Sequence, residues 1–137
     1  MRKPRFRLQR VLEVKQKIRD LSKIELGKKA SEYNLEVAKI KKLQEEKKKA
    51  IDSNKTTSSI FDRVLLDNYI QSNEKMQKYQ LMDVKKKEIP FQEALKDYLK
   101  KDREVKVLEK LKDKVLKDIN LENQREEEKG IDEIVSY

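Results

Sequence analysis

Apolar residues recur along this chain at three- and four-residue steps, the spacing that lines one face of a helix. In the first segment, residues 5–51, Leu8, Val11, Leu12, Val14, Ile18 and Leu21 follow those steps. A second set, Leu26, Ala30, Tyr33, Val37, Ile40, Gln44, Lys47 and Ile51, alternates steps of four and three. That is the heptad pattern of a narrow coiled-coil seam. The two sets do not share one phase, and the slip falls at residues 24–27, as a stutter produces. Gly27 sits in the slip. It reads either as a bend or as a tolerated helical glycine costing about 1 kcal/mol.

The run Asp52-Ser53-Asn54-Lys55-Thr56-Thr57-Ser58-Ser59 is the one interior cluster of turn-forming residues. Such side chains compete for backbone hydrogen bonds and favour caps. The main reversal is therefore expected at 52–59, with Ser58 or Ser59 as N-cap of the second helical segment. That segment, residues 60–135, is led by Phe61, Leu65, Tyr69, Met76 and Tyr79. It continues through Ile89, Phe91, Leu95, Tyr98, Val105, Leu108, Leu111, Val115 and Ile119. Pro90 interrupts it, and a helical proline removes one hydrogen bond at a cost of about 3 kcal/mol. The segment is therefore either kinked near 86–90 or split in two, and a kink or short break with direction kept is favoured. At about 1.5 Å per residue the first helix is about 70 Å long and the second more than about 100 Å. The economical arrangement is all-α: one hairpin over residues 1–137, two long helices in an antiparallel coiled coil, the second longer and overhanging the first.

Composition sharpens this. With 45% charged and 36% hydrophobic residues, two Gly and two Pro in 137 residues, the chain lacks the turn formers of an all-β or α/β fold. Disorder is the competitor at such composition, and the regular apolar spacing argues against it. No Cys and no His are present, which excludes disulfides, thiolate sites and the commonest general base and zinc ligand. No Gly-rich phosphate loop or nucleophile elbow occurs, so no enzyme activity, cofactor, metal or small-molecule substrate is expected. No apolar run is long enough to span a membrane, and the basic start MRKPRFRLQR lacks the apolar core of a secretory signal. A cytoplasmic location is the resulting expectation.

Charge is unevenly spread. Residues 1–20 carry eight basic and two acidic side chains, whereas residues 118–137 carry seven acidic and two basic ones. Helix dipoles favour the opposite placement at each helix end, so pairing between helices or with a partner explains the arrangement better. The run Glu126-Glu127-Glu128 reads as a solvated face rather than a metal site, since consecutive helical positions point in different directions. A net charge of +9 raises the question of nucleic acid. Yet Lys47-Lys48-Lys49 and Lys85-Lys86-Lys87 lie among acids, with no alternating aromatic platform, so no nucleic acid is expected. Partner binding fits best. Phe6, Leu8, Val11 and Leu12 alternate with arginines, and Tyr69, Asn73, Met76 and Gln80 fall at steps of four, three and four, along one helical stripe. Tyr and Met are adaptable contact residues, although Tyr69 and Met76 also suit an intramolecular seam.

The opening Phe6-Arg7-Leu8-Gln9-Arg10-Val11-Leu12-Glu13 resembles the start of the FliJ family of flagellar export proteins. So do Val107-Leu108-Glu109-Lys110-Leu111-Lys112, Glu122-Asn123-Gln124-Arg125 and Glu128-Lys129-Gly130-Ile131-Asp132-Glu133-Ile134 near the other end, which resemble the family's C-terminal block. The resemblance spans nearly the whole chain. It implies a central-stalk-like coiled coil at the flagellar type III export apparatus. It also implies a hexameric export ATPase as partner of the terminal helix pair, with Phe6, Leu8, Val11, Leu12, Leu108, Leu111 and Val115 as contact candidates. A membrane export-gate protein would meet Tyr69, Asn73, Met76 and Gln80, although family positions there are more apolar than Asn73 and Gln80. Export chaperones are further implied partners, without residues assigned, and the implied location is peripheral, at the inner face of the membrane at the flagellar base. The alternatives from composition alone are a basic coiled-coil nucleic-acid binder or a generic scaffold.

Overall fold

The computed structural model describes residues 3–56 and 59–135. Two helices account for nearly all of them: α1 over Gln9–Ser53 and α2 over Ile60–Val135. They form an all-α antiparallel hairpin. α1 begins after a short turn in which Phe6 C=O accepts from the Gln9 N–H (3.1 Å) and Leu8 C=O from the Leu12 N–H (2.9 Å). No acid occupies its first turn. Leu8 stands where a Ser or Asp usually caps a helix, and its side chain packs on the apolar core instead.

The end of α1 is capped as its composition suggests. The last carbonyls of a helix have no intrahelical donor. Here Asn54 Nδ2 (2.7 Å) and Ser53 Oγ (3.3 Å) both donate to Ala50 O, and Ser53 Oγ also reaches Lys49 O at 2.9 Å. On the far side of the turn, Ser59 precedes α2 and its carbonyl accepts from the Arg63 N–H at 3.1 Å; Ser58, the other cap candidate, lies outside the described residues. α2 runs through Pro90 as one helix, which excludes the split and, of the two favoured forms, the short break. α1 likewise runs through Gly27, where an added Cβ would meet nothing within 4 Å. Gly27→Ala is therefore expected to stabilise the protein by about 1 kcal/mol, read as a shifted urea midpoint with unchanged slope.

Contacts sort the chain into two compact units: Met1–Lys23 with Asp97–Tyr137, and Ile24–Lys96. In each, partner residues descend along α2 as they ascend along α1. The first unit has an apolar centre of Phe6, Leu12 and Val105, the last fully inaccessible at 0% exposure, with Leu8, Leu108 and Val115 packed around it. Further along α1 its seam is polar. Lys15 Nζ meets Glu104 Oε2 at 3.1 Å, Arg19 meets Asp102 at 3.8 Å, and Ser22 Oγ donates to Asp97 Oδ2 at 2.8 Å. In the second unit Tyr33 stacks on Phe91 with ring centroids 5.4 Å apart. Val84 is buried and so is Asn73, whose Nδ2 donates to Leu43 O at 2.9 Å while its Oδ1 accepts from Gln77 Nε2 at 2.7 Å. Nearby, Gln80 Nε2 donates to both the carbonyl and the carboxylate of Glu36.

These polar contacts tune three groups. The Gln80 amide, then Lys39, holds the Glu36 carboxyl below its ordinary 4.5. Lys101, then Ser22, holds Asp97 below 3.8. Asp102 raises the Lys106 ammonium above 10.5. For the two acids the folded pKa lies below the unfolded one, so their contribution is present above 4.5 and 3.8 and is lost as pH falls through the lower folded values. Melting followed from about pH 6 to about pH 2.5 is expected to show an acid-side loss of stability that is smaller in a Glu36→Gln, Asp97→Asn double variant. For Lys106 the sign reverses: its contribution is present below 10.5 and is lost as pH rises through the higher folded pKa.

Candidate interaction surfaces

The polar seam of the first unit leaves an apolar stripe facing outward. Val11, Val14, Ile18 and Leu21, at steps of three, four and three, are all exposed, Val14 to 51% and Leu21 to 67%. The residues turned to α2 along the same stretch are Leu12, Lys15, Arg19 and Ser22, each one position beyond a member of that stripe, or about 100° around the helix. Two of the six apolar residues read from the sequence as the first set, Leu8 and Leu12, thus pack inward, and the other four point away. On α2, Val107 and Leu111 are exposed as well.

The seven terminal candidates divide accordingly. Phe6, Leu8, Leu12, Leu108 and Val115 come together around Val105 and hold α1 to α2. Val11 and Leu111 remain at the surface. The four residues of the second stripe also divide. Asn73 and Gln80 face α1, with their amides engaged by Leu43, Gln77 and Glu36. Tyr69 and Met76 are exposed, to 43% and 57%. Tyr69 borders a cleft of about 330 Å³ shared with Ala50, Ser53, Leu65 and Leu66. Phe61 and Leu65 are exposed on the same helix, and their spacing places them with Tyr69 and Met76 on one face, beside the seam.

Sequence reasoning missed the outward stripe of α1 because it merged two neighbouring helical lines into one set. It also missed the seam role of Asn73. The signal was present: Leu66, Ile70, Asn73, Gln77, Gln80 and Val84 keep steps of four and three without a gap, and a polar residue at one seam position is a common register device.

Among the described residues no group of three or more His, Cys, Asp or Glu is placed to hold a metal ion, and no helix is long and apolar enough to cross a membrane. What the fold offers is a pair of helices joined by a mixed seam, with apolar stripes turned outward. That defines an antiparallel coiled-coil interaction protein. The family model described as flagellar FliJ protein matches residues 4–137, essentially the entire chain, and the chain belongs to the FliJ family. It is a flagellar, export-related coiled-coil protein, in a family of non-catalytic components of the flagellar type III export apparatus. No curated protein and no solved structure gives a significant match.

Proposed function

We propose that this protein is the central-stalk-like partner of a hexameric flagellar export ATPase, couples that ring to the export gate and takes part in handling export chaperones. The observation that carries the reading is the outward stripe Val11, Val14, Ile18 and Leu21. A stretch of helix that beyond Leu12 is held to its neighbour by ion pairs and a hydroxyl, with four apolar residues turned away, suits a second partner. The arginines interleaved near its start, Arg7, Arg10 and Arg19, add steering toward an acidic ring lining. Binding of the ring over its separated subunits favours assembly by mass action. Phe6, Leu8, Leu12, Leu108 and Val115 serve this contact by holding the pair together, while Val11 and Leu111 meet the ring directly. Gate contact falls to Tyr69 and Met76, with Asn73 and Gln80 setting the helix that presents them. The working location is the inner face of the membrane at the flagellar base, reached through these partners.

The test is ATP hydrolysis by the purified export ATPase, with and without this protein, at several salt concentrations. Stimulation that tracks ring formation is expected. A Val14→Asp, Ile18→Asp double variant is expected to lose at least about tenfold in apparent affinity, or about 1.4 kcal/mol, with helicity and gate binding unchanged. Undiminished stimulation by that variant removes the stripe from the contact. In parallel, Tyr69→Ala with Met76→Ala is expected to weaken binding of the gate's cytoplasmic part by at least about tenfold while ATPase stimulation persists. Retained gate affinity sends that contact elsewhere.

A further inference from the structure

A different surface lies on the back of α2 within the second unit. Lys75, Tyr79, Met82, Lys86 and Ile89 keep steps of four, three, four and three, so they form one line along the helix. The line sits two residues, or about 200°, from the seam line through Asn73, Gln80 and Val84, and therefore faces away from α1. Lys75, Lys78, Tyr79, Leu81, Met82 and Lys85 enclose a cleft of about 500 Å³. Tyr79, Leu81, Met82 and Ile89 are all exposed.

The charge around this cleft is of one sign. The acids of the stretch, Glu74, Asp83 and Glu88, each stand one position off the line, or about 100° around the helix. Glu74 is turned to Lys47 of α1, at 2.9 Å. Among the described residues, none of Lys75, Lys78, Lys85 and Lys86 forms an ion pair, whereas Lys15, Lys29, Lys39, Lys47, Lys87, Lys101 and Lys106 do. Lys78 and Leu81 also border a cleft against Ile40 and Gln44 of α1, whereas Lys75, Tyr79, Met82 and Lys85 line the outward cleft; the stripe through Tyr69 and Met76 needs none of the lysines.

We infer that the Lys75–Ile89 face of α2 is a docking site for an acidic amphipathic helix of a partner protein. Tyr and Met supply an adaptable apolar floor, which a helix fills with side chains at its own three- and four-residue steps. The four unpaired ammonium groups complement carboxylates flanking those side chains, setting orientation and encounter rate more than raw affinity. A nucleic-acid backbone offers nothing apolar to fill the cleft. The inference stands on this face alone and does not depend on the ATPase or gate contacts.

The test is backbone amide NMR of the full chain, titrated with a synthetic helical peptide carrying leucines at alternating three- and four-residue steps and glutamates elsewhere. Saturable shifts centred on residues 75–89 are expected. A lysine-for-glutamate version of the peptide, and an all-polar acidic one, are expected to bind at least about tenfold more weakly. Tyr79→Ser and the Lys75→Glu, Lys85→Glu pair are each expected to weaken binding by a similar factor with circular dichroism unchanged, since every altered side chain lines the outward cleft. Shifts scattered over the chain, equal binding of the all-polar peptide, or no saturable binding overturn the inference. Phosphatidylglycerol vesicles that shift residues 75–89 when the acidic peptide does not would assign the face to a lipid surface and overturn it too.

Discussion

Val105→Asp is expected to separate α1 from α2 throughout the first compact unit. Val105 is wholly inaccessible and clusters with Phe6 and Leu12, the other buried apolar residues described there. A carboxylate placed at that point loses its hydration and gains no free cation, because the nearby Lys101 and Lys106 of α2 are paired with Asp97 and Asp102, and Lys15 and Arg19 of α1 with Glu104 and Asp102. An uncompensated buried charge costs about 3–5 kcal/mol. With so small an apolar centre, nothing nearby offsets it. Leu12→Ala, a cavity rather than a charge, is expected to cost about 2–5 kcal/mol. Val11→Ala, one residue away and exposed, is expected to stay within about 0.5 kcal/mol. Hydrogen exchange of residues 9–23, with urea melts, reads all three. Unchanged protection in Val105→Asp would remove Val105 from the centre of the unit. The same variants bear on the proposed ATPase contact: under that proposal, lost stimulation in a Leu12 or Val105 variant would report a melted pair, whereas loss in Val14→Asp, Ile18→Asp would report a partner surface.

Helices, reversal and antiparallel pairing were legible in the sequence because each rests on a local and redundant signal. Many apolar residues vote for the helical period, and a run of polar and small residues marks the turn. The choice of inward face was not local. Residues 11 and 12, or 14 and 15, are adjacent on the helix, and apolarity alone favours Val14 over Lys15. What turns Lys15, Arg19 and Ser22 inward is the acids that meet them, Glu104, Asp102 and Asp97, some 75 to 89 residues away. The end of the second set shows the same limit. Gln44 and Ile51 are exposed, and Leu43 and Ala50 take their places in the seam beside Lys47 of the set. At Pro90 the local cost is outweighed by a pairing that continues past it, with Phe91 stacked on Tyr33, so the helix goes on without the short break. The family was legible through residues near both ends. Which candidate residues stay at the surface was only half legible, since a stripe of fixed spacing does not say which side of it meets the other helix.

Asn73 carries the sharpest consequence of that distinction. Its buried amide donates to the Leu43 carbonyl and accepts from Gln77. Asn73→Asp keeps the shape and the bond from Gln77, but it sets a carboxylate oxygen against a carbonyl oxygen. The expected cost is about 3 kcal/mol at about pH 7. Protonation restores a donor toward Leu43, so the new carboxyl has a folded pKa above its unfolded value of about 3.9. A raised folded pKa means that the stabilising interaction is complete below the unfolded value and is lost as pH rises through the folded one. The stability gap between wild type and Asn73→Asp is therefore expected to be small at about pH 3 and to widen toward about pH 7, in urea melts compared pairwise so that the acid losses at Glu36 and Asp97 cancel. Asn73→Leu has the opposite character. The Leu43 carbonyl keeps its place in the helical ladder, an apolar side chain fills the seam, and stability is expected to hold or rise. What is lost is the group that distinguishes one register from the next, so cross-linking of cysteines introduced at neighbours of Leu43 and Asn73 is expected to spread over several pairings rather than one. A pH-independent cost for Asn73→Asp, or a single retained register in Asn73→Leu, would reduce Asn73 to a tolerated polar residue and return the stripe through Tyr69 and Met76 to having no fixed platform beneath it.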